Sequence, residues 1–318
     1  MSMRLSKGLT VAAAVTGLLL AGCSSGSSGE SSSTVAADCT PANVFTTIKD
    51  GTLTIAAPEF PPFSSLAGGT AAGVDVDIIT AIAEMECLTP EYVQVDYSGA
   101  VPAVQSGRTD VAIGDYYRTT SRAEVVGLSE AMYVDGMGII SKDGVTDIPT
   151  ILTRNVGTVD GYLWVADLQA QLGDKLKIYK SNVEMWADLD SGRIDVGIDS
   201  VPAAAFSASQ NGGDWKVTTA DPYEPIGASV KPAQVGIPFT KSNTALGEAL
   251  NADIAALRAD GTLKQIFIDH DVDPSLTEVE DSYLLDSCFQ RALGWAYPPG
   301  RSVLDSQRAG DAENERQQ

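Results

Sequence analysis

The sequence predicts an α/β protein of two similar lobes, each built on a mostly parallel sheet, joined by two crossover strands. Three observations lead there. Strand and helix patterns alternate from Gly51 onward. The same order restarts near Gly136. The motif Ser-Gly-Arg-x-Asp-Val-x-Ile occurs twice, at 106–113 and at 191–198. Each copy sits where a helix gives way to a strand, so the repeat marks two lobes and not a solenoid.

The elements follow in order. TLTIAA (52–57) is rich in β-branched residues and reads as a strand. From Asp75 to Glu86, Ile78, Ile79, Ile82 and Ala83 fall on one face of a helix. EYVQVDY (91–97) is a strand, SGAVPAVQSG (98–107) a short helix stopped by Gly107, and DVAIG a strand. In the second half, GMGIISK (136–142) and NVGTV (155–159) are strands, and GYLWVADLQAQLG (161–173) is a helix. LKIYK (176–180), NVEMWADLDSG (182–192) and DVGID continue as strand, helix, strand. AQVGIPF (233–239) is a return strand. Asn243 to Asp260 is a helix carrying Leu246, Leu250, Ile254 and Leu257, with Gly261 as its stop and a short helix after it. The crossovers fall near Asp135–Ile139 and Ser229–Gly236.

The chain has 318 residues, and its ends are not lobe material. Arg4 and Lys7 precede an apolar run from Leu9 to Ala21, the pattern of a signal peptide. The run ends in Leu20-Ala21-Gly22-Cys23, which resembles a bacterial lipobox, so Cys23 is expected to be the lipidated mature N-terminus. A Ser/Gly-rich tether follows. The expected layout is signal peptide 1–22, tether and extension 23–50, lobe one 51–138, lobe two 139–231, lobe one again 232–275, and a disordered tail 276–318. Cys39, Cys87 and Cys288 remain in an exported, oxidising setting. Cys87 ends a helix that runs back toward the start of the first strand, and Cys39 lies just before that strand, so Cys39 and Cys87 are expected to pair.

The net charge of −21 argues against nucleic acid and against attraction to anionic lipid. His270 is the single histidine, and no Cys or His spacing suits a metal. Neither a metal nor another cofactor is expected, and the chain is read as a monomer. In open α/β sheets, ligands bind beyond the carboxyl ends of the strands. Those ends are Asp115-Tyr116-Tyr117 in lobe one and Asp199-Ser200 in lobe two.

Several segments in sequence resemble the family 3 solute-binding proteins of amino-acid ABC transporters: GTLTIA with PPF after it, GVDVDIITAIA, SGRTDVAIG followed by Thr119-x-x-Arg122, LSEAMYVDG, VGTVDG, SGRIDVGIDSVPAAA and NADIAALRADGTLKQIF. The likeness runs from about Gly51 to Asp271. It implies a type II periplasmic-binding-protein-like fold, closing on a hinge and delivering an amino acid or related amine to an ABC permease from the outer side of the membrane. It also implies that Arg122 grips the ligand carboxylate, with the Gly161 and Tyr162 amides opening a helix opposite. The family's ammonium-binding acid stands five residues beyond the motif Asp, where this chain has Ser200. Asp199 is one residue early, and Asp115 and Tyr117 replace small or hydroxyl residues. Either Asp115 or Asp199 is therefore the expected ammonium partner. Phe60, Phe63, Tyr116, Tyr133, Tyr162 and Trp164 could wall the cleft and cradle a cation.

Two other functions fit the same fold. A dehydratase-like enzyme would use Asp115 or Asp199 as its acid or base, though no nucleophile motif accompanies them. A ligand sensor would dock its closed form on a signalling partner. Turnover of ligand marks the first, and a neighbouring kinase or cyclase gene marks the second.

Overall fold

The computed structural model describes residues 38–285. The signal peptide, Cys23, most of the tether, Cys288 and the tail beyond 285 lie outside them. The chain runs β1 (Thr52–Ala57), α1 (Val74–Met85), β2 (Thr89–Gln94), α2 (Tyr97–Gln105), β3 (Val111–Ala112), α3 (Thr120–Val125) and β4 (Gly127–Leu128). Strand β5 (Tyr133–Asp135) then crosses to the second lobe. That lobe holds β6 (Met137–Ser141), α4 (Ile148–Ile151), β7 (Val156–Val159), α5 (Val165–Leu172), β8 (Leu176–Tyr179), α6 (Asn182–Asp190), β9 (Val196–Ser200), α7 (Val201–Asn211), β10 (Lys216–Thr219) and α8 (Gly227–Val230). Strand β11 (Ala233–Val235) crosses back, and β12 (Pro238–Phe239), α9 (Thr244–Ala259) and α10 (Thr262–Asp269) complete lobe one.

Lobe one carries a sheet in the order β2-β1-β3-β12-β4, and lobe two one in the order β10-β6-β9-β7-β8. β5 and β11 pair antiparallel as a separate ribbon between them. The sheets are mixed, where the sequence led us to expect mostly parallel ones. In each, four strands run the same way and one, β12 in lobe one and β6 in lobe two, runs against them. The chain enters lobe two on β6 and re-enters lobe one on β12, so both add antiparallel to the parallel core.

Apolar periodicity accounts for the packing. On α1, Ile78, Ile79, Ile82 and Ala83 are buried with Leu53 and Ile55 of β1. On α9, Leu246, Leu250, Ile254 and Leu257 recur every three or four residues and face the same core. Lobe two adds a cluster of Ile140, Met185, Trp186, Leu189 and Ile194 between α6 and its sheet.

The repeated motif builds one device twice. Gly107 and Gly192 both have φ near +70°, the left-handed turn that ends α2 and α6. Arg108 N–H returns to the Ala103 carbonyl, and Arg193 N–H to that of Asp188. The motif aspartates then tie neighbouring strands. Asp110 accepts from the Thr54 amide at 2.9 Å, and Asp195 from the Asn155 side-chain amide at 2.9 Å. Both serve the framework of their lobes.

Cys39 and Cys87 form a disulfide with Cα atoms 5.8 Å apart, joining the N-terminal extension to the end of α1. Residues 276–285 depart from the disorder expected of them. Leu285 bridges to Thr119, and Tyr283 takes a hydrogen bond from Arg118 through its carbonyl at 2.9 Å. Gln234 of β11 holds the Tyr283 amide and the Asp281 carbonyl. Low apolar density hid this segment, because it is held by polar groups of the crossover and not by a core of its own.

Candidate ligand-binding cleft

Both repeat strands point their carboxyl ends at the junction of the lobes. There Phe60, Tyr97, Asp115 and Tyr117 from lobe one meet Tyr162, Leu163, Trp164 and Ser200 from lobe two around a cavity of about 10 Å³. That is about the space one water needs, so a solute enters only if the lobes part. A wider groove of about 560 Å³, with Glu59, Asp96, Arg108 and Lys180 among its lining residues, shares Tyr97 with the cavity.

Five aromatic rings form the walls. Tyr97 meets Tyr162 edge-on at 4.8 Å, and Tyr162 meets Trp164 at 5.3 Å. Phe60 packs on both Tyr97 and Tyr162, and Tyr117 on Trp164. The Trp164 indole N–H donates to the Thr158 hydroxyl at 2.7 Å, which fixes its ring. Phe63 lies deeper and stacks on Tyr133 at 5.6 Å, so it supports the wall without belonging to it. Tyr116 turns inward too, its hydroxyl donating to the Tyr97 carbonyl at 2.7 Å.

Behind the rings lies a group of buried acids. Asp115 follows Gly114 at the end of β3 and has φ +59°, an uncommon conformation for a residue with a side chain. Asp75 of α1 holds that turn, accepting from the Gly114 and Asp115 amides at 2.9 and 2.8 Å and from the Tyr133 hydroxyl at 2.8 Å. Asp135, at the end of β5, accepts from the Tyr117 hydroxyl at 2.9 Å and the Gly136 amide at 2.6 Å. Burial pushes the Asp115 carboxyl well above the carboxylate range, and neighbouring Asp135 pushes it further. Burial also raises Asp135 and Asp75. Asp199 is pushed up to about 7 by burial, against the opposing pull of the Ser200 amide. Asp115 Oδ1, Asp199 Oδ2 and the Tyr162 hydroxyl are buried without a hydrogen bond of good geometry, although Tyr162 sits beside the Asp199 carboxyl.

The Arg122 guanidinium donates to the Tyr117 carbonyl at 2.8 Å and the Gly161 carbonyl at 3.0 Å, and lies 5.1 Å from the Tyr116 ring centre. It therefore bridges the two lobes through backbone oxygens. Gly161 and Tyr162 do not open a helix. α5 begins at Val165, after a turn in which the Tyr162 amide donates to Val159 at 3.4 Å. Apolar residues at 163–165 extend the helical pattern backward in sequence, and no side chain caps the true start. Ser200 Oγ caps α7 by accepting from the Ala203 amide at 3.2 Å. Asp199 lies behind Tyr162 and Ser200, off the cavity surface, while Asp115 faces the cavity.

Tyr97, Asp75 and Asp135 were not among the expected site residues. Tyr97 looked like the end of a strand but opens α2. In the sequence Asp75 begins a helix and Asp135 a crossover. A signal was available for Asp135: a charged residue inside a crossover strand between two apolar segments.

Residues 53–269 match the model of the bacterial extracellular solute-binding proteins, family 3. The chain belongs to that family. The L-arginine-binding protein of Pseudomonas aeruginosa is 27% identical over 65% of this chain and 82% of its own length. The histidine-binding periplasmic protein of Salmonella typhimurium is 25% identical over 68% of this chain and 86% of its own. The solved structure of an ancestral arginine-binding protein bound to arginine superposes with a TM-score of 0.61 at 26% identity, covering 69% of this chain and 97% of that one. The solute-binding protein described here thus has the type II two-lobed fold, with its cavity between the lobes. Among its described residues no helix is long and apolar enough to cross a membrane. No group of three or more His, Cys, Asp or Glu side chains among them is placed to hold a metal ion.

Proposed function

We propose that this solute-binding protein captures a small cationic solute of the basic amino-acid type between its lobes and delivers it to an ABC permease. In this reading Cys23 carries the lipid that anchors it outside the cytoplasmic membrane. One observation carries the choice of a cation. The cleft gathers four buried acids, Asp75, Asp115, Asp135 and Asp199. A positive group entering beside Asp115 would favour the charged form of these acids, whereas an anion would hold them neutral. The aromatic walls add faces suited to a cation. The relatives named for arginine and histidine support the same direction. They are named as binding proteins, which favours binding over the dehydratase alternative.

A thermal-shift screen tests the reading. The purified protein is heated with basic, neutral and acidic amino acids and with simple amines. A ligand at a hundred times its dissociation constant adds about 2.7 kcal/mol of stability, a clear rise in melting temperature. The expected result is a rise with basic compounds. A rise confined to neutral or acidic ones would refute the cation reading.

A further inference from the structure

We propose that residues 281–285 form an edge segment that positions the cleft-bordering loop at 117–122, with Gln234, Tyr283 and Leu285 as positioning residues for solute capture. This rests on the interlobe cleft being the binding site and holds whatever charge the solute carries.

The segment extends the ribbon between the lobes. Tyr117 pairs antiparallel with Val235 of β11, and the Arg118 amide donates to the Gln234 carbonyl at 2.7 Å. On the opposite side Thr119 pairs parallel with Leu285. There the Leu285 amide donates to the Arg118 carbonyl at 2.9 Å, and the Thr120 amide to the Leu285 carbonyl at 3.0 Å. Residues 117–120 are thus held between the second crossover and the edge segment. Side chains lock the same pieces together. Buried Gln234 accepts from the Tyr283 amide at 2.7 Å and the Arg118 guanidinium at 3.1 Å, and donates to the Asp281 carbonyl at 3.0 Å. The Arg118 guanidinium, buried as well, also donates to the Tyr283 carbonyl at 2.9 Å and the Ser129 carbonyl at 2.8 Å. A buried cation deprived of such acceptors is costly, which favours this one arrangement. Tyr283 also reaches the exit from lobe two. Its hydroxyl donates to the Pro232 carbonyl at 2.5 Å, and its ring lies against the Lys231 ammonium.

What the segment braces is the cleft wall. Tyr117 lines the cavity, and its carbonyl accepts from the Arg122 guanidinium at 2.8 Å. Thr119, whose backbone pairs with Leu285, caps α3 by accepting from the Arg122 amide at 3.2 Å. α3 is six residues long and buries none of them, so its own packing fixes Arg122 weakly. Lys241 holds the far end of α3 through the Ala123 and Glu124 carbonyls, which leaves the first turn to Thr119. Arg122 then takes its place from Tyr117 and Thr119, and the edge segment sets theirs.

Hydrogen exchange on the full ligand-free chain tests this. Leu285→Pro removes the donor to Arg118, Tyr283→Ala removes the contacts with Lys231 and Pro232, and Leu284→Ala, at an exposed neighbour, is the control. In the first two variants the Arg122 and Ala123 amides, which bond to Thr119, should exchange at least tenfold faster, while β7 and β9 and the control keep parent rates. Titration with L-arginine should show at least fivefold weaker binding, through faster dissociation, with cooperative melting retained. Parent exchange rates at Arg122 and Ala123, or unchanged affinity in both variants, would overturn the inference and make the segment a packed tail. If the wild type binds a neutral or acidic amino acid in place of L-arginine, the cation reading falls alone, and the same two measurements with that amino acid decide this one.

Discussion

Asp199 shows how much a single buried side chain sets. An unfolded chain releases the proton of an aspartate near pH 3.9, but in the fold burial holds this one up to about 7. The folded state therefore keeps a proton that the unfolded state loses. Stability contributed by the neutral form is present at low pH and is lost as pH rises from about 4 to about 7. Asp253 is raised into the same window by burial and by Glu86, and burial raises Asp75, Asp115 and Asp135 as well, so wild-type protein alone does not isolate Asp199. Asp143, Asp188, Asp260 and Asp273 are shifted downward, and act below that window. Asp199→Asn removes one titrating group. The ligand-free variant should lose stability less steeply between pH 5 and 7, by up to about 1.4 kcal/mol per pH unit. Denaturant titrations at a series of pH values measure this, and identical slopes for variant and parent would show that Asp199 ionises freely in the fold.

At the scale of elements, the repeated turn makes the clearest case of sequence legibility. Gly107 and Gly192 occupy the same left-handed turn, and a methyl group added at either meets nothing within 4 Å. The cost of Gly→Ala there is conformational, about 1–2 kcal/mol at each site. The two variants should lower stability by similar amounts in chemical unfolding, and a large difference would break the equivalence of the lobes. The motif was readable because a turn of fixed geometry needs glycine, and the strand after it needs an aspartate to tie its neighbour. Other elements were harder to read. The start of α5 was misplaced because Leu163 and Trp164 continue an apolar pattern that has no capping residue to interrupt it. Asp75 gave no local sign of its role and Asp135 only its place in a crossover strand, because both act on residues distant in sequence: Asp75 on the 114–115 turn and Tyr133, and Asp135 on Tyr117 and Asp115. The segment at 276–285 stayed hidden because Arg118, Gln234 and Lys231 bind it from other parts of the chain.

At the scale of the molecule, two lobes with separate sheets meet at one cleft, and the acids come from both lobes and the crossover between them. Asp75 and Asp115 belong to lobe one, Asp135 to the crossover and Asp199 to lobe two. A cation seated in the cavity would meet side chains of both lobes. Asp115 is the acid that faces the cavity with an unmet oxygen, and its φ of +59° makes asparagine the gentlest replacement, since asparagine tolerates that conformation. The measurement that bears most directly on the account is calorimetric titration of wild-type and Asp115→Asn protein with L-arginine. Loss of a buried charge partner costs about 3–5 kcal/mol, so the variant should bind at least a hundredfold more weakly while melting cooperatively like the parent. Unchanged affinity in Asp115→Asn, or tighter binding of L-glutamate than of L-arginine by the wild type, would contradict the account.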